Sequence, residues 1–302
     1  MTLAESGNTT TWSTIVNIAE NYKLACELAV INQENDDYKN RSFGEKQFEA
    51  EQKIAEAKRK KFIAENLVLP RKLYNNSTAM GRFVLSCALF GFGRGKERAM
   101  VNVTLPTFGN GRVHYEGPEL RQDDLAVLEG LIAMTRETVV LTTPLKLHPG
   151  QFCKSIGWSN SSNDKTKLKD SIERMRKSDL RIVIDSKTGG LFHLVGDFEW
   201  DVDCWMVHLS PTIRRLFDGG QTFLPLSDRQ LLTDGMQTWL AGFLRAWRNV
   251  DRFGTGDLLK YSGSKSSLKE FGRELKGTLQ KLKDVGIIAD FEAGRGWVAV
   301  TH

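Results

Sequence analysis

The sequence predicts an α+β fold: two similar blocks, each a helix-turn-helix followed by a strand pair, behind a helical N-terminal arm. Two observations carry this. The stretch "LKDSIERMRKSDLRIVID" (Leu168–Asp185) is matched in kind by "LKGTLQKLKDVGIIADFE" (Leu275–Glu292), 107 positions later. Upstream, "FCKSIG" (152–157) lies over "LLKYSG" (258–263) at an offset of 106, so the second copy gains one residue in its turn. Each copy then reads as helix, short helix, turn, basic helix and a strand pair with a glycine-bearing tip. That order is a winged helix, a helix-turn-helix with an attached β-hairpin.

The 302 residues suit two domains with an accessory segment, and 40% hydrophobic residues suit sizeable cores. The net charge is +5 and the pI about 8.9. Residues 1–66 hold 9 Lys/Arg and 11 Asp/Glu, so the basic character lies in the remainder. Cys26, Cys87, Cys153 and Cys204 form no CxxC pair and read as reduced, inert thiols. The N-terminus has no basic n-region followed by an apolar stretch, and no apolar run approaches the ~18 residues of a membrane span. A soluble, cytoplasmic protein is expected, with no membrane contact.

Residues 11–33 place Ile15, Ile18, Tyr22, Ala25 and Ala29 at helical spacing. Residues 45–66 are rich in Ala, Glu and Lys and predict a second, mostly solvated helix. Its "KRKK" cluster (58–61) is either a solvated face or a contact for DNA or an acidic partner. "RFVLSCALFGF" (82–92) and "ERAMVNVTL" (97–105) read as strands joined by the basic link "GRGK" (93–96), and "RVHYEG" (112–117) as a third strand. "RQDDLAVLEGLIAMTRE" (121–137) is a helix with an acidic first turn and Leu125, Leu128, Leu131, Ile132 and Met134 on one side.

"PGQFCKSIGW" (149–158) predicts a short helix, "NSSN" (160–163) a turn, and 164–178 the basic helix. Strands follow at 180–186, 190–198 and 202–209, with "KTGG" (187–190) as a hairpin turn and "PTIRRLF" (211–217) as a short helix. "DGGQTFLPLSD" (218–228) reads as a linker. The second block runs through "QLLTDGMQTWLAGFLRAWRN", "TGDLLKYSG", a helix at 265–283, and the strands "GIIADFE" and "GWVAVT".

In the first basic helix, Leu168, Ile172 and Met175 face the core, with Lys165, Lys169 and Arg176 on one flank and Lys167 and Arg174 on the other. In the second, Leu268, Phe271, Leu275, Leu279 and Leu282 form the core stripe, with Lys269, Arg273 and Lys276 on the adjoining face. Segment 164–181 has seven basic and four acidic residues, whereas 260–283 has seven and two, so the second copy should hold DNA more tightly. An α-helix fits the major groove of B-DNA with its N-terminal residues at the base edges. The candidate DNA contacts are therefore Lys154, Ser162, Asn163, Lys165, Lys167, Lys169 and Arg174 in the first block. In the second they are Lys260, Lys265, Ser266, Ser267, Lys269, Arg273 and Lys276. The plain alternative for each helix is a solvated surface. Gly272 and Gly277, inside the second helix, permit either close packing or approach to a DNA backbone.

"GFGRGKER" (91–98) resembles a phosphate loop but lacks its spacing and its Ser/Thr, so it reads as a basic turn. Arg94, Lys96 and Arg98 are candidate phosphate contacts. The five histidines show no metal-pair spacing, and no catalytic constellation is evident. Asp197, Glu199, Asp201 and Asp203 alternate along an expected strand, where either an exposed face or a cation site would fit. No cofactor, metal or enzymatic activity is expected.

Read in order, the body resembles the TrfA-type plasmid replication initiators over residues 69 to 283. The pattern from Tyr115 to Gly130 ("YEGPELRQDDLAVLEG") is the most specific part, supported by "LSPTIRRLF" (Leu209–Phe217) and "WLAGF" (Trp239–Phe243). The resemblance implies a non-enzymatic initiator that binds direct repeats (iterons) of double-stranded DNA in a plasmid origin through two winged-helix domains. It implies opening of AT-rich DNA and recruitment of the host initiator, replicative helicase and sliding clamp. It also implies an equilibrium between inactive homodimer and active monomer, with the first domain engaged in dimerisation. The family's clamp-binding "QL-x-LF"-like peptide has no clear counterpart in residues 1–68. The expected organisation is an arm at 1–68, a first domain at 69–217 for dimerisation and DNA contact, a linker at 218–227, and a DNA-recognition domain at 228–302. The alternatives are a winged-helix transcriptional regulator of plasmid or phage genes, and a nuclease using the acidic strand near Asp201.

Overall fold

The computed structural model describes residues 50–58, 77–93, 97–109, 111–135, 143–184, 188–217 and 220–302. The chain divides into two units, Met1–Asn66 and Leu67–His302. In the first, 50–58 is helical, inside the helix expected at 45–66. The helix expected at 11–33 and residues 59–61 of the basic cluster lie outside the described residues.

The second unit opens with β1 (Ser77–Gly81), α1 (Arg82–Leu85) and β2 (Phe90–Gly91). The long strand expected at 82–92 is thus a helical turn and a two-residue strand. Phe83, Val84 and Leu85 are all buried, and a continuous apolar run carries no period to separate helix from strand. β3 (Met100–Pro106), β4 (Gly111–Pro118) and β5 (Leu120–Arg121) lead into α2 (Gln122–Met134). Then come β6 (Leu145–Leu147), α3 (Pro149–Ser155), α4 (Ser162–Arg176), β7 (Asp179–Ile184), β8 (Thr188–Phe192), β9 (Val195–Trp200), β10 (Trp205–Leu209) and a 3-10 helix at Pro211–Phe217. The last part holds β11 (Gln221–Pro225), α5 (Leu226–Gln230), α6 (Met236–Ala246), β12 (Arg252–Gly254), α7 (Thr255–Ser262), α8 (Leu268–Asp284), β13 (Asp290–Gly294) and β14 (Trp297–Thr301).

The repeat is real in the topology, but its strands are not those the sequence alignment paired. α6 is followed by β12, α7, α8, β13 and β14, and the sheet runs β12-β14-β13. α2 is followed by β6, α3, α4 and, later, β9 and β10, in a sheet of the same order, β6-β10-β9. The counterpart of β13 is therefore β9. β7 forms the expected hairpin with β8 but also pairs along its other edge with β4, so that hairpin belongs to the sheet β3-β4-β7-β8, an addition peculiar to the first block. "LRIVID" and "IIADFE" share apolar character, which half-buried strands have in common whatever sheet they join. Thr188, Gly189 and Gly190, expected as a turn, are strand residues opposite Ile184, Val183 and Ile182.

Residues 218–227, expected as a linker, carry β11 and the start of α5. β11 lies antiparallel to the wholly buried β1, with Thr222 opposite Met80 and Leu224 opposite Thr78. The glycines before it suggest a loop, but Thr222 and Leu224 alternate inward as strand residues do. Two hydrophobic cores result. One holds Leu128, Leu131, Leu147, Phe152, Leu168, Ile172, Met175 and Val207; the other Leu240, Phe243, Leu258, Phe271, Leu275, Leu279 and Val298. Trp247 packs against both.

Candidate nucleic-acid interface

The turns before α4 and α8 are built alike. α3 gives way to Gly157 at φ +83° and α7 to Gly263 at φ +71°, the left-handed conformation that ends helices at glycine. Four residues after each glycine stands the N-cap, Ser161 or Ser267. Ser161 Oγ accepts from the Asp164 amide at 3.1 Å, and Ser267 Oγ from the Glu270 amide at 3.3 Å. In the second copy Glu270 also accepts from the Ser267 amide at 3.1 Å, completing a capping box. Hydrogen bonds from Ser159 and Ser161 hold the Asp164 carboxyl below the usual carboxylate range.

The caps correspond at an offset of 106, but the buried stripes correspond at 107. Leu168, Ser171, Ile172 and Met175 match Leu275, Thr278, Leu279 and Leu282. The extra residue therefore lies inside α8, between its cap and its core stripe, not in the turn. At about 100° per residue it rotates the core face of α8 relative to its cap. Leu268, expected in that stripe, is the first helical residue and is 52% exposed.

This rotation and the local partners separate the two helices. In α8, Lys269, Arg273 and Lys276 lie opposite the core stripe; all three are exposed and make no ion pair with a described residue. Lys265 and Lys260 are also exposed, Lys260 beside the Tyr261 ring at 5.5 Å. Ser267 is occupied by capping, and Ser266 donates its backbone N–H to Ser264 Oγ at 3.2 Å. In α4 the position opposite the core falls among Thr166, Asp170, Glu173 and Lys177, with the basic residues on the flanks.

The inner flank of α4 is tied down. Asp124, wholly buried at the start of α2, accepts from Ser171 Oγ at 2.7 Å and from Arg174 Nη2 at 2.7 Å. Arg98 pairs with Asp123 at 2.7 Å, and Lys167 lies 3.6 Å from Asp123 and 4.1 Å from the centre of the Trp158 ring. Burial pushes the Asp123 carboxyl up, but the hydrogen bond and charge of Arg98, with Lys167 and Arg174 behind them, outweigh it and hold the group below its ordinary value. Lys169 sits 3.7 Å from the centre of the Trp200 ring. Of the first-block candidates, Lys154, Ser162, Asn163 and Lys165 are exposed, whereas Lys167, Lys169 and Arg174 are half-buried. Arg94 and Lys96 lie outside the described residues.

The acidic alternation at 197–203 is not one strand face. Asp197 and Glu199 belong to β9, but Asp201 and Asp203 are in the turn to β10, where the Asp201 amide donates to Cys204 O at 3.0 Å. Among the described residues no three His, Cys, Asp or Glu side chains come close enough to hold a metal ion, and no helix is long and apolar enough to cross a membrane. Sequence reasoning missed Asp123 and Asp124 as partners of the basic helix. The "RQDD" signal was visible, but as a favourable helix N-terminus rather than as a clamp.

The structure of domains 2 and 3 of RctB superposes on this one with a TM-score of 0.51 at 12% identity, covering 73% of this chain and 98% of that one. The chain shares that fold. A second structure of RctB domains 2–3 aligns at TM-score 0.45 and 13% identity, over 80% of this chain and 96% of that one. No protein-family model and no curated protein matches the sequence.

Proposed function

We propose that this protein is a replication initiator that binds double-stranded origin DNA through two winged-helix modules, with α8 as the principal reading helix. One observation carries the reading. Lys269, Arg273 and Lys276 form an exposed cationic line opposite the core stripe, with no ion pair to a described residue, on a capped helix that follows a tight turn. A helix so presented fits the major groove, which is about 12 Å wide. The β13–β14 tip, with Arg295 exposed, lies beyond it as a wing. The repeated helix–strand–helix–helix–strand–strand order supports two such modules. So does a shared fold that spans nearly all of a two-domain fragment of RctB.

The motifs similar to TrfA-type initiators support iterons in a plasmid origin as the target. They also support opening of AT-rich DNA, recruitment of host replication proteins, and a monomer–dimer equilibrium. The protein acts by binding rather than catalysis. The deciding experiment is a gel shift on iteron DNA with Lys269→Ala combined with Arg273→Ala. Specific binding should be lost while the circular dichroism spectrum is kept. Wild-type binding by the double variant at moderate salt would remove α8 from the interface. Cleavage of supercoiled origin DNA by the wild-type protein with added divalent metal would overturn the non-catalytic reading.

A further inference from the structure

Phe108 stands on the connection between β3 and β4 of the first block, yet its ring sits among four rings of the second. The centroids of Phe243, Trp247, Phe253 and Tyr261 lie 5.5, 4.7, 5.8 and 5.7 Å away. The backbone holds the wedge in place: the Phe108 amide donates to Ser86 O at 3.0 Å, and Thr107 Oγ1 donates to Gly111 O at 2.6 Å. Trp247, at the end of α6, returns the contact by donating from Nε1 to Ser86 Oγ at 2.7 Å, with Arg82 5.3 Å from the centre of its ring. Gly109, at φ +98°, has room for no side chain without crowding Trp247.

A second fastening acts on the reading helix itself. Gly263, in the turn that launches α8, lies against Ala88 of the first block, so that a Cβ there would stand 2.7 Å from the Ala88 Cβ. A third is electrostatic: Arg229 reaches Glu129 at 2.8 Å and the Gln122 carbonyl at 3.0 Å, both in α2. The turn before α8 is thus seated on the first block, and the two cores are wedged together by a ring from one and an indole from the other.

We infer that Phe108 and Trp247 lock the two blocks at one spacing, so that the protein selects DNA by the distance between its two sub-sites as well as by their sequence. The DNA part rests on the reading that both modules face DNA. A flexible tether would tolerate small changes in that distance; a wedged pair does not. Each added base pair turns the next groove by about 35° and moves it by about 3.4 Å.

Two measurements test this. Calorimetry on the full chain needs no DNA: wild-type protein should unfold both cores in one transition. Phe108→Ala should separate them into two, and Trp247→Phe, which keeps an aromatic ring but removes the donor, should broaden the transition. Two independent transitions in the wild type, or unchanged single transitions in both variants, would overturn the lock. The second uses a duplex enriched on wild-type protein from a random-sequence pool, with single base pairs inserted across its footprint. An insertion between the sub-sites should weaken wild-type binding by about tenfold or more, as expected when one of two linked contacts is lost. The same insertion should cost Trp247→Phe markedly less. Equal binding of wild type to the native and lengthened duplexes would overturn the spacing selection. If the pool yields no enriched sequence, the DNA reading fails and the spacing selection with it, while calorimetry still decides whether the lock exists.

Discussion

The Arg174 guanidinium donates twice to one oxygen of Asp124, from Nε at 3.1 Å and from Nη2 at 2.7 Å, and Ser171 Oγ donates to the same oxygen at 2.7 Å. The other oxygen takes the Arg121 amide at 2.9 Å and Arg98 at 3.4 Å. One buried carboxylate therefore joins α2, α4 and the approach to β3. Removing one member of a buried pair leaves its partner's charge or dipole uncompensated, which costs about 3–5 kcal/mol. Asp124→Ala should lower stability by that amount in urea unfolding followed by tryptophan fluorescence. Arg174→Met should cost less, about 1–3 kcal/mol, because Asp124 keeps its other donors. Arg174→Met should also leave the salt dependence of DNA binding unchanged, since its guanidinium is already spent on Asp124. A flatter salt dependence in that variant would return Arg174 to the DNA contacts.

Asp123 gives the clamp a pH dependence. Its folded value lies below the ordinary 3.8, so the ionised form is the one that stabilises the fold. Stability from a depressed carboxylate is complete above its unfolded value and is lost as pH falls through its folded value. The stability difference between wild type and Asp123→Asn should therefore be constant above about pH 5 and close as pH falls below 3.8. Chemical denaturation at a series of pH values measures it. A difference that survives at pH 2 would mean that Asp123 acts through shape rather than charge.

Gly277 settles whether the glycines of α8 serve packing. An added Cβ there meets nothing within 4 Å, and at Gly272 it meets only Thr255 Cγ2 at an ordinary 3.8 Å. Neither glycine is needed for packing against the described residues, and each costs helix stability relative to alanine. Gly277→Ala should therefore raise stability by about 0.5–1 kcal/mol. Gly277 lies one turn on from Arg273, so if a DNA backbone approaches there, the same variant should bind more weakly while being more stable. Thermal melts and gel shifts on one preparation separate the two effects.

Much of the architecture was legible because it rests on period. Leu168, Ile172 and Met175 announced their buried face at helical spacing, and the repeat of helix, turn and helix followed from the matching sequences at 152–178 and 258–283. The strand of the first block that corresponds to β13 was not legible, because the choice between β7 and β9 is a question of which distant strand accepts the hydrogen bonds. Local apolar character carries no answer to that. The one-residue slip inside α8 was half legible: the offset change was visible, but only the caps Ser161 and Ser267 show on which side of the helix start it falls. In the candidate site, charge was easy to read and its availability was not. Lys167 and Lys276 look alike in sequence, but one has Asp123 and Trp158 beside it and the other has solvent.

That contrast is itself testable. Each phosphate neutralised by a cation contributes about 0.9 to the slope of log K against log salt. Lys276 is exposed on the outward line of α8 and makes no ion pair with a described residue, so Lys276→Ala should reduce the slope by about one such contact and weaken binding to all sequences alike. The Lys167 ammonium is held between the Asp123 carboxylate and the Trp158 face. Lys167→Ala should leave the slope as it is and instead lower folding stability by about 0.5–1 kcal/mol, the range of a partly exposed ion pair with a cation–π contact. Fluorescence anisotropy titrations at several salt concentrations, with urea unfolding of both variants, compare the two lysines. Equal slopes in Lys167→Ala and Lys276→Ala would show that the two helices meet DNA on equal terms. The carboxylates of α2 would then give up their hold on α4 when DNA binds.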